Sequence, residues 1–425
     1  MGIFDFWKNQ TNDKYGISLD IGTEFVKVLV FEIKDDKVEI LGVGRERQKL
    51  TDMQAGTVTD INGVIDNCAK ALKAAEEMAG VQANQAVVGI AGELVKGKTT
   101  TVHYKRSQAK SKINHAELKL IVDKVQERAF SRAREALAEE TGHDEIDVKL
   151  VNAAVVDVRI DGQRVSNPLG FQGKDVSIGI FNAFAPIVQL GAVQTIVEEL
   201  NLNLLTIAAE PYAVAKAVAL EDSQEFSAIF IDIGGGTTDV AVVRNGGLEG
   251  TKMFGFGGRT FTKRLSDVLN VSFNNAEEIK LSYAKNILDD KSYRLVNEAL
   301  DSDCKVWLAG VELSLGEFIS STASADAGNE PFPSKVLLCG GGSALPDIKK
   351  VLLEDKWYER MPFIRKPEVN FIQTTDVGRV VDKTKELKNP QDITPMALAD
   401  LALDFTTEKG ALEGILSKVI SSMKE

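Results

Sequence analysis

The residues best placed by type to do chemistry are two aspartates, Asp20 and Asp232, each set before a glycine-bearing turn between two apolar runs. The first unit runs from Tyr15 through Asp20-Ile-Gly-Thr23 into Phe25-Val-Lys-Val-Leu-Val-Phe31, which alternates like a strand. The second is Ala228-Ile-Phe-Ile-Asp-Ile-Gly-Gly-Gly-Thr-Thr-Asp-Val-Ala-Val-Val243. Glycine tips let backbone N–H groups approach phosphate oxygens, threonine hydroxyls add donors, and an aspartate can hold a hydrated magnesium ion. On this chemistry Asp20, Gly22 and Thr23 make one phosphate hairpin, and Asp232, Gly234, Gly235, Gly236, Thr237 and Thr238 make another. Asp20 and Asp232 are the expected metal-holding carboxylates. Lys27 is either near the phosphates or a surface strand lysine.

A third element follows. Lys335-Val-Leu-Leu-Cys-Gly-Gly-Gly-Ser343 is a strand entering a triple glycine, with a helix after Pro346. At Gly340, Gly341, Gly342 and Ser343 a flat base and ribose can lie on bare backbone. Two hairpins of one plan, followed by a strand-glycine-helix element, predict a nucleotide site that takes ATP and Mg2+. The repetition of the hairpin predicts an internal duplication of the core.

The elements that must position these residues are legible from periodicity. Ile61, Val64, Ile65, Cys68, Ala69 and Leu72 recur at helical spacing, and a strand begins near Ala86. The stretch from Ala86 to Phe184 breaks the rhythm. It holds a strand to Gly89, a charged helix from His115 to Glu140, and strands Leu150 to Ile160 and Val176 to Phe184, so it reads as an inserted α/β module. A helix from Ile187, a strand from Leu204 to Ala208 and a helix opened by Pro211 resume the first core. Phe261 to Asp326 is polar and helical, Asp392 to Phe405 is a core helix, and Ala411 to Glu425 is a detached amphipathic helix.

Composition sets the outer limits. The chain has 425 residues, 44% of them hydrophobic, enough for two or more packed subdomains. A formal charge of −12 argues against long-range attraction to nucleic acid and against general attraction to anionic lipid. Cys68, Cys304 and Cys339 lie far apart, which fits a reducing cytoplasm better than a disulfide framework or zinc site. His103, His115 and His143 have no ligand-like or triad-like spacing. No apolar run reaches the length of about 18 residues needed to cross a bilayer, and no export signal opens the chain.

The three glycine elements, in this order, resemble the actin and heat-shock ATPase superfamily, whose two phosphate loops and adenosine loop they match. The resemblance takes in Phe256-Gly-Gly258 followed by Thr262, and Glu277 and Lys280 in Ala276-Glu-Glu-Ile-Lys280. It implies nucleotide contacts from Gly257 and Gly258 and ribose contacts from Glu277 and Lys280; from spacing alone the latter are a solvent-facing i,i+3 ion pair. Glu210, in Ala209-Glu-Pro-Tyr-Ala213, resembles the Glu-Pro turn facing the phosphates across the cleft. It is the expected catalytic carboxylate, orienting or deprotonating the attacking water, with helix capping as the alternative. Hydrolysis is at most slow.

Asp161-Gly-Gln-Arg-Val-Ser-Asn-Pro-Leu-Gly-Phe-Gln-Gly173 resembles the Asn-Pro-x-Gly-x-x-Gly segment of the FtsA family of bacterial division proteins. The fold so implied is α/β, an actin-like ATPase fold of two duplicated RNase H-like domains with an FtsA/PilM-type inserted strand-helix-strand-strand subdomain. Its expected domains are an N-terminal amphipathic segment (1–14), a first core (15–85 and 185–224, with 392–405 returning to it), the insert (86–184), a second core (225–265 and 333–391), a helical subdomain (266–332), a linker (406–410) and a C-terminal helix (411–425). Val26-Lys27 after the first loop is closer to PilM-like pilus-assembly relatives, which gives a second reading. A small-molecule kinase is a third, for which the insert supplies no acid, base or sugar-binding cluster.

The FtsA resemblance implies a filament-forming scaffold, with other copies of itself and the FtsZ C-terminal tail as partners and the tail docking between Ser266 and Phe332. It also implies a place in the cytoplasm on the inner face of the membrane. The C-terminal helix fits such a peripheral contact. Leu412, Ile415, Leu416, Val419, Ile420 and Met423 form one stripe, opposite Glu413, Ser417, Lys418, Ser421 and Ser422. The same stripe could instead pack on the protein's own body. Met1, Ile3, Phe4, Phe6 and Trp7 make a second apolar patch with aromatic residues suited to an interface.

Overall fold

Alternating apolar residues give the first strands a buried face, and short turns between them leave antiparallel pairing as the simplest closure. In the computed structural model, which describes residues 14–142, 147–219, 226–321, 330–405, 414–416 and 419, β1 (Tyr15–Ile21), β2 (Phe25–Lys34) and β3 (Lys37–Arg47) form such a meander. β4 (Met53–Gln54) and β5 (Thr57–Val58) are a small hairpin before α1 (Ile61–Ala79). Asp60 caps α1 by accepting from the Gly63 N–H, and Gly80, in the left-handed region, ends it. β6 (Gln85–Ile90) then runs parallel to β1.

The insert contributes β7 (Lys96–Lys105), α2 (His115–Thr141), β8 (Val148–Ile160), β9 (Gln163–Arg164) and β10 (Asp175–Pro186). α3 (Ile187–Glu199), β11 (Asn203–Ala209) and α4 (Glu210–Ala219) return to the first core. The second core has β12 (Ala228–Ile233), β13 (Thr238–Arg244) and β14 (Gly247–Phe254), followed by the helices α5 (Gly258–Leu269), α6 (Phe273–Ala284) and α7 (Asp290–Ser321). β15 (Lys335–Cys339), α8 (Pro346–Glu354), β16 (Glu368–Phe371), β17 (Val380–Asp382) and α9 (Ile393–Leu401) complete the described elements.

The duplication is visible in the strand order. The first sheet runs β11-β6-β1-β2-β3-β17, and the second begins β16-β15-β12-β13-β14, so each core has an antiparallel meander flanked by two parallel strands. One apolar cluster takes the first sheet together with one face of the second through Ala228, Phe230, Ala241 and Leu337, and a second cluster takes the other face through Ile229, Ile231, Val240 and Val242; α9 packs in the first through Ile393, Met396 and Leu398.

One boundary differs from the sequence reading. The strand starting near Ala86 is β6, and it lies inside the first sheet between β1 and β11; the insert therefore begins after Ile90. All of its residues are buried, as a parallel strand covered on both faces must be. The insert also joins the second sheet. Its β7 pairs with β14 at Gly250↔Lys98 and Thr251↔Gly97, extending the second sheet through β10, β8 and β9.

Candidate functional site: a cleft between two hairpins

The Asp20 and Asp232 tips close in the same way. Gly22 N–H donates to Phe25 O at 3.1 Å, and Gly234 N–H donates to Thr237 O at 2.9 Å. The tips face each other so closely that a Cβ on Gly235 would lie 2.7 Å from Glu24 Cβ, and one on Gly236 2.8 Å from Thr23 Oγ1. Antiparallel register then decides what stands beside each aspartate. Asp20 is opposite Lys27 on β2, whereas Asp232 is opposite Asp239 on β13.

The electrostatics follow from that pairing. Lys27 Nζ donates to Asp20 Oδ2 at 2.8 Å. Burial works to discharge this lysine, but the carboxylates of Asp20, Asp232 and Glu210 outweigh it and hold its pKa above the usual lysine value. Asp232 accepts a 2.6 Å hydrogen bond from Thr394 Oγ1, yet burial still raises its pKa. Asp239 has no cation opposite it. Burial and then Asp232 push its carboxyl well above the ordinary range, and its Oδ1 has no hydrogen-bond partner.

Glu210 is the first residue of α4, delivered to the cleft by the end of β11. It is buried, and its Oε1 accepts no hydrogen bond, so that oxygen does not cap the helix. Burial, followed by the charges of Asp20, Asp239 and Asp232, raises its pKa well above the ordinary carboxylate range, against the pull of Lys27. Unpartnered buried oxygens are costly, and both of these line the same cleft.

On the opposite wall, Glu277 and Lys280 are a buried pair, not a solvent-facing one, with Nζ and Oε2 2.8 Å apart. Lys280 also donates to Gly258 O at 2.9 Å and to Thr262 Oγ1 at 2.7 Å, fixing α6 against the start of α5. Gly340 has φ of 81°, and a Cβ there would fall 2.1 Å from Asp232 Oδ1, so this position needs glycine on both counts. Across the mouth, Arg259 Nε donates to Glu24 Oε2 at 2.7 Å and its Nη1 to Met53 O at 2.9 Å. Arg47 holds the other oxygen of Glu24 at 2.7 Å.

Of the expected nucleotide-contacting residues, the cleft brings together Asp20, Gly22, Thr23, Glu210, Asp232, Gly234, Gly235, Thr237, Gly258, Glu277, Lys280 and Gly340 to Gly342. Gly236, Thr238, Gly257 and Ser343 do not line it, and each is occupied otherwise. Thr238 Oγ1 donates to Phe256 O and accepts from Trp307 Nε1, facing the interior. Ser343 Oγ donates back to Gly340 O. Gly236 and Gly257 have neighbours, Thr23 and the Gly234–Gly235 backbone, where a side chain would go. These four act as supports for the loops and not as lining.

Sequence reasoning missed Asp239, Arg259, Thr394 and Gln391, all of which line the cleft. Asp239 was within reach. It stands as many residues beyond Asp232 as Lys27 stands beyond Asp20, so a count along the two hairpins pairs them.

Among the described residues, no helix is long and apolar enough to cross a membrane. The N-terminal patch, Met1 to Trp7, and Leu412, Ile420 and Met423 of the C-terminal stripe lie outside the described residues. Leu416 and Val419 are 3% and 5% exposed and, with Ile415 partly buried beside them, pack into the apolar cluster of the insert.

Residues 229–394 match the family model described as cell division protein FtsA. The cell division protein FtsA of Neisseria meningitidis serogroup B is 32% identical over 278 residues, 64% of this chain and 62% of that protein. FtsA of Bacillus subtilis is 26% identical over 282 residues, 66% of this chain and 60% of that protein. The aligned segments thus span less than two thirds of the length of these relatives. A solved structure described as a PilM-PilN type IV pilus biogenesis complex has the same fold, with a TM-score of 0.64 at 15% identity, over 92% of this chain and 99% of that one. With its duplicated sheets and facing hairpins the chain has an actin-like ATPase fold, and over about two thirds of its length it is similar to the cell division protein FtsA.

Proposed function

We propose that the chain binds ATP with Mg2+ in the cleft between its hairpins, assembles with copies of itself, attaches to the inner face of the cytoplasmic membrane and tethers FtsZ through its C-terminal tail. The observation that carries this reading is the pair of facing glycine tips backed by two buried carboxylates, Glu210 and Asp239, that each leave an oxygen without a hydrogen bond, in a chain similar to a division protein. Lys27 and the N–H groups of the tips would take phosphate oxygens, and the backbone at Gly340 to Gly342 would carry the base and ribose beside Lys280. Asp20, Asp232 and Asp239 fit a hydrated divalent cation. Such an ion keeps several water and phosphate oxygens as ligands. When bound, the ion would neutralise phosphate charge. Glu210, with a raised pKa and a free oxygen, is suited to accept a proton from water, and we assign it that role in a slow hydrolysis.

The FtsZ tail would dock on the helical subdomain, where Val306 and Leu313 are exposed two turns apart on α7. The C-terminal stripe would supply the membrane contact, multiplied by assembly. The test is co-sedimentation with anionic vesicles, ATP and an FtsZ tail peptide, comparing the full chain with one ending at Gly410. ATP-dependent pelleting of chain and peptide, lost on truncation, is the expected result. Unchanged pelleting after truncation removes the anchor assignment. Acceptor-dependent ATP consumption points to a kinase, and binding of a pilus inner-membrane peptide in place of the FtsZ tail points to a pilus role.

A further inference from the structure

We infer that the inserted subdomain is a docking site for the protein's own C-terminal helix, and that this contact competes with lipid for a single apolar stripe. The inference rests on the membrane attachment proposed above. It starts from a conflict on the page. Ile415, Leu416 and Val419 belong to the stripe suited to the membrane interface, yet Leu416 and Val419 are almost wholly buried against the protein.

The cluster that receives them lies between α2 and the sheet of the insert. On α2, Leu118, Ile121, Val122 and Val125 are fully buried and recur at i, i+3, i+4 and i+7, a single stripe facing the sheet. Val158 and Ile160 on β8, with Val176, Ile178 and Ile180 on β10, point to the same side and complete the cluster. Leu416 and Val419, three residues apart, are both buried in that cluster, with Ile415 packed against it. Side chains at these positions cannot be in the subdomain and in a bilayer at once. Apparent lipid affinity is therefore lowered by the fraction of molecules in which the helix is docked.

The test uses the full chain. Cys68, Cys304 and Cys339 are buried, so a thiol introduced by Val419→Cys is read against a quiet background. Docking predicts that this thiol reacts slowly, at a rate independent of protein concentration, and that adding Val122→Ala on the receiving face accelerates it by about tenfold. In the unlabelled background, Val122→Ala is expected to tighten binding to anionic vesicles by about tenfold, since the lipid-facing residues are untouched. Equal vesicle binding by parent and Val122→Ala overturns the competition while leaving the anchor intact. If neither binds vesicles but Val122→Ala still frees the thiol, the membrane reading fails and takes the competition with it. A reaction rate that falls as concentration rises shows docking onto a second copy and overturns the intramolecular form. Should Val122→Ala not fold, hydrogen exchange of the unmodified chain decides: protection across Gly414 to Val419 supports docking, and exchange at free-peptide rates overturns it.

Discussion

The two hairpins share strand order, tip hydrogen bond and leading Asp-Ile-Gly, yet they differ at the positions that face each other. The first tip carries Thr23 and Glu24 where the second has Gly235 and Gly236, and the second is bare because the first is not. One step further along the ladder the contrast is one of charge. Lys27 neutralises Asp20 from the opposite strand, whereas Asp239 adds to the load on Asp232. Like charges directly opposite are unfavourable in a sheet, so nothing in folding alone calls for Asp239. A duplicated element thus yields one half that brings its own cation and another that is completed by an incoming one.

The most direct way to break the contrast is Lys27→Met, which leaves Asp20 as uncompensated as Asp232. Removing one partner of a buried ion pair costs about 3–5 kcal/mol, of the order of 100-fold or more in an equilibrium. Nucleotide binding measured by calorimetry should fall by about that factor, with a lower melting temperature. A variant that binds ATP as tightly as the parent would show that Lys27 is spectator to the phosphates.

Asp239→Asn works in the opposite direction. Asp239 and Glu210 keep their protons above the ordinary carboxylate range, so the folded chain holds more protons than the unfolded one between that range and the raised values. Their effect on stability is therefore least harmful at low pH and becomes unfavourable as pH rises through the window. The amide removes this load. Without nucleotide the variant should melt higher than the parent, increasingly so toward alkaline pH, while Mg2+-dependent ATP affinity drops about tenfold, roughly the value of one charge-assisted contact. In the parent, a cation that displaces one proton should bind more weakly as pH falls, by at most about a decade per pH unit. A flat Mg2+ affinity across pH would mean that these carboxyls are not its ligands.

Much of this was legible in the sequence because glycine, aspartate and strand alternation are local signals. Both tips, the Glu210 turn and the helical spacing of α1 needed no tertiary information. What escaped depends on contacts between distant segments. Thr238 looks like a phosphate donor until Trp307 and Phe256 O claim its hydroxyl. Glu277 and Lys280 look exposed until α5 is laid over them. β6 reads as the start of the insert because a strand's sequence does not say which neighbour it will pair with, and the bond between β14 and β7 that fuses the insert to the second sheet spans only two residue pairs.

The smallest effect expected lies at the tips themselves, where Glu24 has only glycine facing it from the second hairpin. Arg259, on the second half, fills that difference by donating to Glu24 and to Met53 O, so it ties the first hairpin to α5 across the cleft mouth. Both side chains of the pair are about one sixth exposed, which places it between a screened surface pair, worth at most about 1 kcal/mol, and a buried one. The Arg259→Ala chain should therefore fold normally and bind ATP with little change in affinity at equilibrium. Its release of a fluorescent ATP analogue, followed by stopped-flow chase, should quicken about threefold, because opening no longer breaks the pair and its companion bond to Met53 O. Glu24→Gln keeps one neutral hydrogen bond and should fall between parent and Arg259→Ala. If Arg259→Ala and Glu24→Gln release nucleotide at the parent rate, the bare second tip is a matter of steric fit alone, and the asymmetry of the hairpins resides in Lys27 and Asp239.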